Sequence, residues 1–413
     1  MSDKKIKILT LSDHPLSPSG VGTQTNYMIQ GLLKTGKYKV LSLGGAVKHQ
    51  DYRPVKFHEY GDDFTIIPVD GYGTPELIRT LIHREKPDIL WMMTDPRFYT
   101  WLWNIEQEIR PNIPIVYYHV WDNYPYPKFN RPFYLSNDKI CTISKLTGDI
   151  VRTVAPEVEE EYVPHAVNMD IFKPLEEKEF AHLKQEGKTM FFWTNRNARR
   201  KMSGSVVWWY KEFLDKVGHD KAFLLMHTDP KDPHGQDLVA IAEELGLNRT
   251  NFAISAGKIP QNDMAKFYNA ADCTINISDA EGFGLSVLES LSCGTPVIVN
   301  KTGGMQDQAT DGTDTFGVMI EPASKAVIGS QDVPWIYEDR VSNKDVVDAM
   351  LKIHNMTREE RKALGLKAVE HVKKNFSFSK FHEQWDKIMS DVHEKHGSWE
   401  TRKGYKTWSV KEY

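Results

Sequence analysis

Residues 278–304, SDAEGFGLSVLESLSCGTPVIVNKTGG, carry the densest chemistry in the chain. An apolar strand runs into Ser278, a glycine-flanked turn follows, and a helix is expected from about Gly284 to a glycine cap at Gly294. Gly282 and Gly284 let the backbone turn sharply and let a ligand come close. The amides of Gly284, Leu285 and Ser286 would then point outward at the positive end of a helix, where a diphosphate fits. Two carboxylates bracket that place, Glu281 ahead of the helix and Glu289 inside it. Carboxylates repel phosphate, so the pair makes sense when each faces hydroxyls: a sugar beside Glu281 and a ribose beside Glu289. A capped surface helix with ordinary acidic residues is the plainer account of a lone Gly-x-Gly, a short motif with many chance matches.

Such a turn needs a strand before it and a sheet beneath it. The runs IKILTLS, YKVLSLGG, FTIIPV, DILWMM, IPIVYYHV and KICTIS read as buried parallel strands, with TQTNYMIQGLLKTG and TPELIRTLIHREK as helices between them. A second series follows, TMFFWTN, KAFLLMHTD, NFAISAG, CTINIS and TPVIVN, with helical segments such as MSGSVVWWYKEFLDKVG. Alternation of this kind predicts an α/β chain with doubly wound parallel sheets. The charged stretch 172–188, which contains Pro174, divides the series into domains 1–178 and 187–376. An amphipathic helix is expected over about 377–396, and a polar tail with scattered aromatics over 397–413.

A length of 413 residues suits two hydrophobic cores better than one. A formal charge of −4 disfavours a surface built to neutralise nucleic-acid phosphates. Cys141, Cys273 and Cys293 have no metal-ligand spacing and read as small buried residues in a reducing compartment. No signal-like segment opens the chain, and no apolar run approaches the ~20 residues of a bilayer span. A cytoplasmic location without a transmembrane segment is therefore expected, with peripheral membrane contact left open.

The collinear motifs resemble glycosyltransferase family 4, retaining enzymes of the GT-B fold. The resemblance rests on Glu281-Gly-Phe-Gly-Leu-Ser-Val-Leu-Glu289 with the following Cys-Gly-Thr-Pro-Val-Ile and Gly303-Gly304. AGKIPQNDMAKFYNAADCTINIS upstream, VPHAVNMDIFKP and CTISKLTGDIV complete it. It implies two Rossmann-like doubly wound domains facing across a cleft, with the C-terminal helix packing back on the first. It also implies a nucleotide-diphosphate sugar as co-substrate, no cofactor and no metal. The chain contains no Asp-x-Asp, the metal-binding motif of the other main glycosyltransferase fold.

Carried over by position, Glu281, Arg196, Lys201 and His119 are the catalytic candidates, with Arg196 and Lys201 on the leaving phosphates and His119 facing the donor sugar. Gly20, Gly22, Gly284, Leu285, Ser286 and Glu289 are the donor-binding candidates. Trp121, Tyr124 and Tyr126 offer an aromatic platform for an acceptor, although core packing explains some of them equally well. Asn195, the pair His165-Ala166 and Asp307 depart from the family pattern, and residues 323–341 read as an insertion. The acceptor stays open among glycans, lipids and small molecules. The alternatives are hydroxylated bases in nucleic acid, an epimerase or phosphorylase on the same fold, and a nucleotide-sugar sensor.

Overall fold

A computed structural model describes residues 4–123 and 126–406. The described residues pack as two units, one of residues 4–121, 126–166 and 378–406, the other of residues 122–123 and 167–377.

The first unit is built on β1 (Ile6–Asp13), β2 (Tyr38–Gly45), β3 (Val55–Lys56), β4 (Phe64–Pro68), β5 (Ile89–Met93), β6 (Ile115–His119), β7 (Lys139–Thr142) and β8 (Glu159–Tyr162). They form one sheet in the order β3-β4-β2-β1-β5-β6-β7-β8, parallel except where β3 meets β4. Ile8 lies between Val40 and Ile89 in register. β5 and β6 are buried along their whole length, which is why they read as unbroken apolar runs. β8 is the exception: its sequence is Glu-Glu-Glu-Tyr, and Lys139 on β7 bridges Glu159 (2.8 Å) and Glu161 (2.6 Å). A charged edge strand suits a position where no second neighbour is wanted.

The helix Phe378–His396 packs against the helix Gly20–Lys34. Gly31 makes the contact close, since a Cβ there would lie 2.3 Å from the His382 ring. Trp385 is buried edge-on against Trp91 and Tyr118. Beyond the helix, Ser398 Oγ donates to Asp88 (2.6 Å) and Arg402 Nη2 to Asp138 (2.8 Å), so this stretch is bonded into the first unit.

The second unit holds β9 (Thr189–Thr194), β10 (Ala222–His227), β11 (Phe252–Ser255), β12 (Cys273–Asn276), β13 (Val297–Asn300) and β14 (Gly317–Ile320), all parallel in the order β11-β10-β9-β12-β13-β14. Its core gathers Phe191, Trp193, Tyr210, Phe213, Leu224, Ile275 and Met350. β15 (Ser324–Ile328) and β16 (Ile336–Arg340) make a separate antiparallel hairpin, which is what the stretch 323–341 forms. Packing changes unit at Ala166/Val167, earlier than the charged stretch 172–188 suggests. The reason is local: Phe172 is buried against Tyr268, and the Leu175 amide donates to Asn269 (2.8 Å), so residues 167–175 belong to the second core.

Candidate functional site

The turn after β12 is built as a cradle. Gly284 takes φ 91°, a left-handed conformation that favours glycine, and the helix Leu285–Ser292 follows with no side chain capping its first turn. Gly303 and Gly304 back the turn from below. A Cβ on Gly303 (φ 53°) would fall 1.7 Å from the Glu281 carbonyl oxygen, and one on Gly304 would fall 2.6 Å from that of Gly282. The Gly304 amide donates to Glu281 O (3.1 Å) and Gln308 Nε2 to Phe283 O (2.6 Å), fixing the loop. Glycine at both positions is therefore a condition of the backbone's course.

Into this turn the loop after β9 delivers its cations. One 3₁₀ turn, Arg199–Lys201, passes through Met202 at φ 57° into the helix Ser203–Val217. Lys201 pairs with Glu281, both nearly buried, and Arg200 lies 3.8 Å from the same carboxylate while donating to Ala280 O (2.6 Å). Burial acts to raise the Glu281 pKa, but Lys201 and Arg200 outweigh it, and the carboxyl is held below its usual range. Asp122, in the segment that packs with this unit, feels the same charges; burial pushes its carboxyl up to about 6.

The structure separates Arg196 from this pair. Its guanidinium grips Asp232 (2.7 and 3.2 Å) and His234 (2.7 Å) and is largely exposed. The cation beside Lys201 and Glu281 is Arg200, a residue that position in a motif alone passes over. The hairpin is likewise joined to the site's edge. Arg199 clamps Glu338 with two 2.7 Å bonds, and Arg340 meets Asp279 at 3.1 Å. Burial pushes Asp279 up to about 7, with Arg340 opposing. The run Glu338-Asp339-Arg340 inside the insertion was the signal that could have flagged this network.

Glu289 sits farther along the helix, where Tyr268 Oη donates to its Oε2 (2.7 Å). Burial raises its carboxyl to about 7, against the pull of that hydrogen bond. Ser286 Oγ, in the first turn, accepts from Asn276 Nδ2 (3.3 Å). Among the described residues no three His, Cys, Asp or Glu side chains are grouped to hold a metal ion. A cavity of about 690 Å³ lies elsewhere on this unit, lined by Met202, Trp208, Ile241, Leu245, Arg199 and Arg340. It includes neither Glu281 nor Lys201 nor Glu289 and is not the site described here.

In the first unit, Gly20 opens its helix and the Gly22 amide is taken by Ser19 Oγ (2.9 Å). Gly22 is small because a Cβ would meet Ser17 Oγ at 2.3 Å and His14 O at 2.6 Å. His119 is wholly buried, with Nε2 bonded to Tyr134 Oη (2.6 Å), and burial lowers its pKa to about 3. This is the setting of a neutral core histidine, without an exposed nitrogen to offer a sugar. Trp121 is buried edge-on to Phe129 with Arg97 over its face, whereas Tyr126 is exposed. Tyr124 lies outside the described residues.

Comparison with known proteins bears on this geometry. Residues 176–345 match the model of the family described as Glycosyl transferases group 1. A D-inositol 3-phosphate glycosyltransferase of Streptosporangium roseum is 45% identical over 84 residues, 20% of this chain and 18% of that relative's length. The chain thus matches less than a fifth of that relative. Sucrose-phosphate synthase from Thermosynechococcus elongatus superposes with a TM-score of 0.76 at 16% identity, covering 95% of this chain and all of that one. The fold is GT-B. An Anabaena protein, HepE, solved with UDP and glucose, shares that GT-B architecture with a TM-score of 0.69 at 13% identity, over 94% of this chain and 100% of its own. Arg196, Lys201, Glu281 and Glu289 fall inside the matched group 1 segment of this GT-B chain; Gly20, Gly22, His119 and Trp121 fall outside it. Among the described residues no helix is long and apolar enough to cross a membrane.

Proposed function

We propose that this chain is a retaining glycosyltransferase that moves a sugar from a nucleotide-diphosphate donor to a hydroxyl acceptor without a metal. The observation that carries the reading is the buried Lys201–Glu281 pair, with Arg200 beside it, at the uncapped start of the helix Leu285–Ser292. As the bond from the anomeric carbon to phosphate breaks, negative charge grows on the leaving diphosphate. Helix amides, Lys201 and Arg200 are preorganised to receive it. Arg196 joins them by exchanging Asp232 for the leaving phosphates. Glu281, held ionised, accepts hydrogen bonds from the transferred sugar. The acceptor oxygen bonds to the same face of the anomeric carbon, and its proton passes to the departing phosphate oxygen, so no side chain need serve as base. The likeness in fold to a protein solved with UDP and glucose is in keeping with a nucleotide-sugar donor.

The test is donor turnover in purified full-length protein with excess EDTA, over a panel of nucleotide sugars. Free nucleotide diphosphate should appear together with a glycosylated acceptor. Turnover of the donor into an isomeric nucleotide sugar without acceptor would replace transfer by epimerisation, and restoration by magnesium would overturn the metal-free mechanism.

Glu289 is assigned to the donor ribose hydroxyls, where an ionised carboxylate makes charge-assisted bonds. With its pKa raised to about 7, donor affinity should strengthen as pH rises through that value. The stability of the unliganded protein should move the other way. Between the unfolded value near 4.5 and about 7 the native state keeps a proton that the unfolded chain has lost, so stability falls as pH rises. Glu289→Gln should flatten both profiles and narrow the preference for a ribose over a 2′-deoxyribose donor; donor titrations and melting curves across the range read each effect.

A further inference from the structure

The loops at the carboxyl ends of β1, β2, β4 and β5 in the first unit present aromatic rings and carboxylates side by side. Tyr52 and Phe98 are 52% and 51% exposed. Tyr52 meets His49 edge-on at 5.6 Å, and His49 lies 5.7 Å from His14. Phe98 stacks on Tyr72 at 5.0 Å, and Tyr72 in turn meets the buried Tyr99. Two carboxylates are set among these rings. Asp13 accepts one bond on each oxygen, from Tyr72 Oη (2.9 Å) and Ser19 Oγ (2.6 Å). Asp70 accepts from Tyr52 Oη (2.6 Å). Neither forms an ion pair among the described residues; Asp70 is exposed and keeps lone pairs for further hydroxyl donors, whereas Asp13 is buried and orients the Tyr72 ring through its bond.

Phosphate would find little here. The two arginines of these loops are each paired with a neighbouring carboxylate, Arg97 with Asp95 and Arg53 with Asp51, so they add no net positive charge beside Asp13 and Asp70. Burial, and then His49, lowers the pKa of His14, which disfavours its charged form. Lys48, exposed on the loop after β2, is a single cation against the carboxylates Asp13 and Asp70. A saccharide matches what remains, because its C–H face packs on aromatic rings while its hydroxyl edge donates to carboxylates.

We propose that the acceptor is an uncharged saccharide, stacked on Tyr52, Tyr72 and Phe98 and held through its hydroxyls by Asp70. The inference rests on the glycosyl-transfer reading and names the acceptor class for it. The relative named for inositol 3-phosphate and the neighbour named for sucrose-phosphate carry phosphorylated compounds in their names. This wall separates the present chain from that chemistry.

The experiment offers the full-length protein neutral methyl glycosides and oligosaccharides, their phosphorylated counterparts, and diacylglycerol vesicles as acceptors. Nucleotide release and product mass are followed, and saccharide binding is measured separately by saturation-transfer NMR. Neutral saccharides should be the preferred acceptors by about tenfold or more over their phosphates. Phe98→Ala and Asp70→Asn should each raise the acceptor KM about tenfold, with the donor KM unchanged. Asp70→Arg should shift the preference toward the phosphorylated acceptor. Transfer only to phosphorylated or lipid acceptors would overturn the inference and leave glycosyl transfer standing. Donor neither bound nor consumed would overturn glycosyl transfer; saccharide binding that disappears in Phe98→Ala would then still support the wall's ligand class, and no binding would remove it.

Discussion

Glu281→Ala should lower kcat by about 10²–10³-fold while leaving a folded protein. Glu281 is placed where hydrogen bonds to the transferred sugar strengthen as positive charge develops on its ring, so the loss should fall on kcat more than on KM. Folding should survive because Glu281's main-chain role, accepting from the Gly304 amide through its carbonyl, is independent of the side chain. The lysine left behind is tolerable as well. Burial already lowers the Lys201 pKa, and without the opposing carboxylate Lys201 can shed its proton rather than remain a buried charge. Glu281→Gln separates the components, since it keeps the shape and loses the charge. Near-normal turnover in a folded Glu281→Ala protein would remove this residue from the reaction.

Lys201→Ala should lower kcat/KM by roughly 10²-fold or more, through loss of a preorganised cation at the leaving phosphates. It should also destabilise the fold, unlike Glu281→Ala. A carboxylate stays behind in a nearly buried place, and removing one partner of such a pair costs roughly 3–5 kcal/mol. Arg200, 3.8 Å away, offsets part of that cost and puts the expectation at the lower end. The pH dependence has a definite sign. In the parent protein the Glu281 pKa is depressed below its unfolded value of 4.5, so its contribution to stability is present above that value and lost as pH falls. In the variant burial dominates and the pKa rises, so the destabilisation should grow as pH increases from about 5 to about 8. Melting curves that shift equally at both ends of this range would contradict a buried, ion-paired Glu281. Lys201→Arg, which replaces a compact ammonium with a planar guanidinium of different reach, should rescue little of the activity.

Strands such as IKILTLS, DILWMM and CTINIS could be read directly, because a strand buried on both faces needs an unbroken apolar run and the run is local in the chain. The turn 281–284, its helix and the glycines around it were legible for a similar reason: backbone geometry at Gly284, Gly303 and Gly304 leaves little choice of residue. The charged edge strand β8 was not legible, since three consecutive glutamates carry no apolar period and their partner Lys139 lies on another strand. Nor was the hairpin β15–β16, read only as an insertion.

Side-chain assignments depended on tertiary structure wherever the partner is distant. Arg196 and Arg200 stand four positions apart in one basic turn, and nothing local distinguishes them. Asp232 takes the first and Ala280 and Glu281 the second, across 36 and 80 residues of chain. His119 ends a strand in a way that suits a site residue, yet Tyr134 and Tyr117 enclose it and keep it neutral. Residues 167–175 look like the approach to a linker, but the pocket around Phe172 draws them into the second core. Sequence alone determined what is set by short-range period and by backbone conformation. The tertiary structure decided which charges meet and which rings stay exposed, because burial and pairing are properties of neighbours that the chain brings together only on folding.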